Sequence, residues 1–153
     1  MVCRWDKHWF GWIGNKEYLM KLKVWKHMFN PRFVILHHSN GKPLHEIKGA
    51  GYHYVIEKVN DNYEIIMDQS LIEMGAHCQE GGLNFESIGV CFVGNFDKHA
   101  PSLEQFKAGV KLAKVLMGIF NIPVKNVVGH RKYSTKSCPG RFFDTSKFRS
   151  MLL

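Results

Sequence analysis

No stretch of this chain is apolar for the roughly 20 consecutive residues that a bilayer-spanning helix needs. The first residues, Met1 to His8, are interrupted by Arg4, Asp6 and Lys7, so they lack the unbroken apolar core of a secretion signal. We therefore expect a cytoplasmic protein with no membrane insertion, reaching other compartments only if separate machinery releases it. Internal repeats, low-complexity tracts and long polar linkers are absent too. Cysteine is sparse, at positions 3, 78, 91 and 138. That spacing matches neither a Cys-x-x-Cys knuckle nor a dense disulfide framework, so free thiols or metal ligands are expected rather than bridges. No helix-turn-helix pattern or aromatic-glycine RNA signature accompanies the formal charge of +8. The charge thus argues for polyanions in general, an acidic cell wall among them, and not for nucleic acid. Lysines spread over a solvated surface account for it equally well.

What remains is an ordinary globular profile. The chain has 153 residues, 45% apolar and 22% charged, enough for one domain with a real core. Residues 15 to 29 read as a helix, with Leu19, Leu22, Trp25 and Phe29 at helical spacing and lysines opposite, ended by Asn30-Pro31. The apolar run Phe33 to Leu36 reads as a buried strand that leads into His37-His38-Ser39. Tyr52 to Lys58 and Tyr63 to Met67 read as a hairpin about Asn60-Asp61-Asn62, and Ser87 to Val93 as a further strand. Ser102 with Gln105 forms a capping box for a helix whose stripe is Phe106, Val110, Ala113, Met117 and Phe120. Asn126 to Gly129 is a short strand, and Asp144 opens a last helix over Phe148, Met151 and Leu152. Alternating elements of this kind predict an α/β or mixed α+β domain, one central mixed sheet flanked by helices.

The chemistry concentrates between Gly129 and Gly140. His130 ends a strand, and Cys138, braced by Pro139-Gly140, follows eight positions later. His37 also sits at the end of an apolar strand. If the two strands are neighbours, His37, His130 and Cys138 meet at one sheet edge. Two imidazoles and a thiolate suit zinc and leave a fourth position open, the catalytic rather than the structural form. Each histidine taken singly reads equally as a satisfied core or surface residue. Lys136, two residues before the sulfur, and Tyr52, after Gly51, are candidates to stabilise an oxyanion; the bland readings are a surface lysine and a core-edge tyrosine. Cys138 as a nucleophile paired with His130 is the other reading, and no third orienting residue is evident for it. His53 falls on the opposite strand face from Tyr52 and reads as structural, and Cys78 and Cys91 read as small buried residues.

These residues resemble the zinc-dependent N-acetylmuramoyl-L-alanine amidases of the type shared by phage amidase lysozymes and peptidoglycan recognition proteins. The matching pieces are Ile35-Leu36-His37-His38-Ser39, Gly51-Tyr52-His53-Tyr54-Val55-Ile56, Gly75-Ala76-His77, Asn84 with Ser87 to Phe96, Val128-Gly129-His130-Arg131 and Lys136-Ser137-Cys138-Pro139-Gly140. They occur in family order over about residues 33 to 150. The resemblance implies cleavage of the amide between N-acetylmuramic acid and L-alanine of peptidoglycan, in cell-wall lysis by a phage endolysin or in wall recycling. It implies His37, His130 and Cys138 as zinc ligands, Tyr52 and Lys136 as catalytic residues, and His77 as a groove histidine in contact with substrate. It also divides the chain into an N-terminal helical extension, residues 1–30, packed on a zinc amidase domain, residues 31–153. Non-catalytic muropeptide binding is the alternative, and a regulatory protein partner at the basic N-terminal surface is a third possibility. Two departures stand out. Cys91 occupies the strand position where some relatives carry a catalytic glutamate. Asn40 to Ala50 is too short for the loop, helix and loop that relatives place between His37 and Tyr52, so residues 15 to 29 are expected to fill that helix's place.

Overall fold

A computed structural model describes residues 30–71 and 73–153 of the chain. Strand β1 (Phe33–His38) is followed by the one-turn helix α1 (Leu44–Ile47), then β2 (Tyr54–Val59), β3 (Asn62–Met67) and β4 (Ser87–Phe92). The long helix α2 (Leu103–Phe120), the short β5 (Val127–Gly129) and α3 (Thr145–Ser150) complete it. The strands form one sheet in the order β3-β2-β4-β1-β5. β1 runs parallel to β4 and β5, β2 runs parallel to β4, and among the described residues only the β2–β3 hairpin is antiparallel. The expected mixed sheet with flanking helices is what the chain forms. Among the described residues, no helix is long and apolar enough to cross a membrane.

Side chains alternate across the sheet and give its two faces different jobs. On one face Val34 and Leu36 of β1, Ile56 of β2 and Ile88, Val90 and Phe92 of β4 join α2 and α3 in the main core. Its centre is aromatic: the Phe143 ring lies 5.0 Å from that of Phe92 and 5.3 Å from that of Phe106, with Phe148 packed on both. Ser102 caps α2 by accepting from the Gln105 amide at 3.1 Å, and Asn121 ends it in the left-handed conformation. Met117 and Phe120, expected in the stripe, are only half-buried, whereas Leu112 and Leu116 are buried. Asp144 caps α3 through the Ser146 and Lys147 amides.

The opposite face carries smaller residues and the polar site. Ile35 and Val128 pack there with Cys78 and Leu83, and Val55 and Cys91 pack with Ile47. The hairpin turns on Asn60 and Asp61, both at positive φ, a two-residue turn that leaves Asn62 in the strand. β2 starts at Tyr54 rather than Tyr52, because Gly51 bends the chain so closely past Ala76 that a Cβ there would fall 2.4 Å from its amide nitrogen. The interval after β1 does hold a helix, α1, against expectation. Its four residues span about 6 Å and bury only Ile47. The predicted helix at 15 to 29, its expected seat, and the extension 1–30 up to Phe29 lie outside the described residues.

Candidate metal centre and active site

The register of the sheet assembles the site. Leu36 of β1 lies opposite Gly129 of β5, so the next residues, His37 and His130, emerge side by side at the same edge. Their ring centroids are 4.6 Å apart. The strand alternation that sends Leu36 into the core sends His37 to the polar face, while His38 turns back and accepts from the Phe96 amide through Nδ1 at 3.2 Å.

Cys138 is brought back by a tightly tied loop. The Arg131 amide donates to the Cys138 carbonyl at 2.6 Å. The Arg131 guanidinium reaches past it to the carbonyls of Gly140 at 2.7 Å and Phe143 at 2.9 Å and to Thr145 Oγ1 at 3.2 Å. Asp97 holds the other side, accepting from Ser137 Oγ at 2.7 Å and from the Arg141 amide at 2.9 Å. These bonds fix the backbone on both sides of the sulfur.

One ligand atom each from His37, His130 and Cys138 lies within 4.8 Å of the other two. Cys138 Sγ stands 3.6 Å from His37 Nδ1. A tetrahedral zinc with ordinary bond lengths separates a sulfur and a nitrogen ligand by about 3.5 Å. The donor types and this spacing therefore fit zinc. Burial, and then the neighbouring His77, His130 and His38, hold His37 well below the usual histidine pKa, so the ring is neutral as a ligand must be. Burial pushes the Cys138 thiol up to about 11, opposed by the His38 backbone, Lys136 and Arg131. Without a cation it stays a thiol at neutral pH, which weighs against the nucleophile reading.

A further layer orients these groups. His37 Nε2 lies 3.1 Å from His77 Nδ1, and a metal on His37 Nδ1, the nitrogen turned to Cys138, would leave the proton on Nε2 to be donated to His77. His77 is buried, and burial, with His53 adding to it, lowers its pKa to about 3. His53 is structural, as expected: Nδ1 accepts from the Gly89 amide at 3.0 Å and Nε2 donates to the Glu73 carbonyl at 3.1 Å. Glu80, which sequence reasoning did not single out, lies with Oε2 3.4 Å from His130 Nε2. Cys78 is buried as expected but also points its sulfur at Glu80, 3.4 Å away. The Cys78-Gln79-Glu80 spacing puts two ligand-type residues beside His77, the one local signal available.

All six residues singled out from the sequence line one cavity of ≈ 500 Å³: His37, Tyr52, His77, His130, Lys136 and Cys138. His77 is both a wall of this cavity and the partner of His37. The Tyr52 ring lies 5.1 Å from that of His37. Burial, with the Cys91 and Cys138 thiols beside it, pushes the Tyr52 phenol well above its usual range, so it remains a proton donor. Lys136 is exposed at the rim. Cys91 is fully buried and its thiol is pushed well up by burial, so it packs rather than titrates.

Comparison with known proteins gives this arrangement a context. The family model described as N-acetylmuramoyl-L-alanine amidase matches residues 28–141. Peptidoglycan-recognition protein SD of Drosophila simulans is 33% identical over 97 residues, which cover 59% of this chain and 46% of that protein. The chain spans about half the length of the curated relatives it matches. Among solved structures, the N-acetylmuramoyl-L-alanine amidase LysC from Clostridium intestinale URNW shares the fold with a TM-score of 0.71 at 24% identity, covering 82% of this chain and 87% of that one. AmpDh3 from Pseudomonas aeruginosa does so with a TM-score of 0.68 at 21% identity, covering 80% and 59%.

Proposed function

Because the chain belongs to the N-acetylmuramoyl-L-alanine amidase family, we propose that it hydrolyses the amide between N-acetylmuramic acid and L-alanine of peptidoglycan, with zinc as cofactor. The observation that carries this reading is the convergence of His37, His130 and Cys138 on one cavity that Tyr52 and Lys136 also line. His37, His130 and Cys138 would hold the metal. When bound, zinc supplies a Lewis acid that polarises the scissile carbonyl and activates water for attack on it. Tyr52 keeps its proton and donates to the oxygen that gains charge in the transition state. The Lys136 ammonium at the rim adds positive charge there. His77 fixes the His37 ring, and the Arg131 and Asp97 hydrogen bonds fix the loop of Cys138, so the ligands need little rearrangement.

The second reading is recognition of muropeptides without cleavage, in line with the names of the Drosophila relatives. A complete set of ligand-type residues favours hydrolysis over it. The test is digestion of purified peptidoglycan by zinc-loaded protein, with identification of the new amino terminus. We expect a free L-alanine amine, and its loss together with zinc binding by the His37, His130 and Cys138 centre in Cys138→Ser. Release that survives this substitution would count against the zinc mechanism. Binding of muropeptide with no release by the zinc-loaded protein would establish the recognition reading.

A further inference from the structure

Among the described residues, the proposed centre leaves one group of ligating side chains unused. Cys78 Sγ, a Glu80 carboxylate oxygen and a His130 ring nitrogen all lie within 4.8 Å of one another. Neither Cys78 nor Glu80 lines the substrate cavity. Cys78 is 1% exposed, whereas the Glu80 side chain is 41% exposed, so the group has a buried soft donor and an open side. The segment that carries them is tied down locally. The Cys78 amide donates to Asn84 Oδ1 at 2.7 Å, and Gly81 and Gly82 take up the positive φ angles that close the turn.

The spacing is informative. A charge-assisted N–H to carboxylate bond is normally about 2.7–2.9 Å. Glu80 Oε2 instead stands 3.4 Å from His130 Nε2, too far for a good bond of that kind, and 3.4 Å from Cys78 Sγ. Ordinary zinc bond lengths at a tetrahedral angle separate nitrogen and oxygen ligands by about 3.4 Å, and sulfur and oxygen ligands by about 3.6 Å. Both gaps lie close to the edges of such a tetrahedron. The His37 to Cys138 gap of 3.6 Å in the cavity obeys the same rule.

We propose that Cys78, Glu80 and His130 form a second seat for zinc or another borderline-soft divalent cation, sharing His130 with the cavity centre. Thiolate, imidazole and carboxylate are the zinc-type donor set, and an all-oxygen cage for magnesium or calcium is not present here. Three protein ligands leave a position for water on the exposed side of Glu80. Occupation releases the Cys78 thiol proton to solvent and takes the lone pair of the His130 nitrogen that faces Glu80, so with both seats filled the ring would also lose its N–H proton to solvent. Through that one ring, metal bound in the second seat alters how His130 serves the cavity centre.

Cobalt titration of the full chain separates the two seats, because each contributes its own thiolate. In Cys138→Ser, which breaks the cavity centre, we expect one Co²⁺ per chain with a thiolate-to-cobalt charge-transfer band. Adding Cys78→Ser abolishes that band, and adding Glu80→Gln weakens binding by about tenfold or more. Cys138→Ala gives the same reading should serine disturb the loop. A folded Cys138 variant, judged by far-ultraviolet circular dichroism, that shows no thiolate band at excess Co²⁺ overturns the proposal. So does a band that survives Cys78→Ser in that background. The single variant Cys78→Ser addresses the cavity centre instead. Loss of all thiolate absorbance there would overturn the zinc reading of His37, His130 and Cys138, and leave the second seat to be decided by the Cys138 variants.

Discussion

Gly89 is the point at which the sheet supports the histidine pair, and Gly89→Ala tests that support. Gly89 lies opposite Ile35 in the β1–β4 ladder, with the His77 ring over it. A Cβ at this position would fall 2.6 Å from both Cγ and Cδ2 of His77 and 2.9 Å from Nδ1. Carbon contacts settle at about 3.5–4.0 Å, so the ring must retreat by about 1 Å. Nδ1 is the atom paired with His37 Nε2 at 3.1 Å, and a bond stretched by that much is no longer a hydrogen bond. Two losses follow. Overpacking costs about 1–3 kcal/mol of stability. Release of His37 from its partner should weaken zinc binding at the proposed centre by about 10–100-fold, although all three proposed ligands are still present. Urea unfolding of metal-free protein reads the first, and competition with a chromophoric chelator reads the second. His77→Ala is the control, since it removes the ring that the new methyl group would strike. In that background Gly89→Ala should have little further effect on zinc affinity. Equal losses in both backgrounds would refute the reasoning, because strand geometry and not the ring would then carry the effect.

Arg131→Ala strips three acceptors in the Cys138 loop and should cost about 2–4 kcal/mol in urea unfolding; Arg131→Lys should not restore it, because one ammonium nitrogen does not reproduce the two separated amino groups that reach Gly140 on one side and Phe143 and Thr145 on the other. A loss under about 1 kcal/mol would remove Arg131 from its bracing role. Tyr52→Phe should lower kcat by about 10²–10³ with zinc affinity unchanged, and an unchanged kcat would show that the phenol does not donate in the transition state. In metal-free protein, His37, His38, His53 and His77 all have pKa values lowered chiefly by burial, that of His77 to about 3. The unfolded chain protonates such histidines near pH 6.5 and the folded protein does not. Their stability contribution is complete above about pH 6.5 and falls as pH drops toward the folded pKa, by up to about 1.4 kcal/mol per unit for each. Urea midpoints that stay level between pH 7.5 and pH 5 would contradict these assignments.

Much of this fold can be read locally. Phe33 to Leu36 is apolar because β1 is buried on both faces, Asn60 and Asp61 are residues that tolerate positive φ, and the Ser102–Gln105 pair announces α2. The strand order cannot be read that way. Nothing within β4 says that it lies between β1 and β2, since all six of its residues are buried and show no alternation from outside. Helix α1 escapes for a different reason: four residues with no side-chain cap and one buried position offer no periodicity to detect.

The site divides along the same line. His37 and His130 are legible as ligand types at strand ends, and Cys138 as one on the loop that follows, but the partners of the two histidines lie 40 and 50 residues away in the chain: His77 on His37, and Glu80 on His130. Only the sheet brings these pairs together, and it does so through small residues. On the core face β4 presents Ile88, Val90 and Phe92, while on the site face it presents Gly89 and Cys91. The absence of a side chain at Gly89 makes room for His77, and the slim thiol at Cys91 makes room for Tyr52. A two-residue period that reads as plain strand packing thus also sets the depth at which the histidines sit. Composition cannot reveal that depth, because a glycine and a cysteine in a buried strand look like filler until the ring above each one is known.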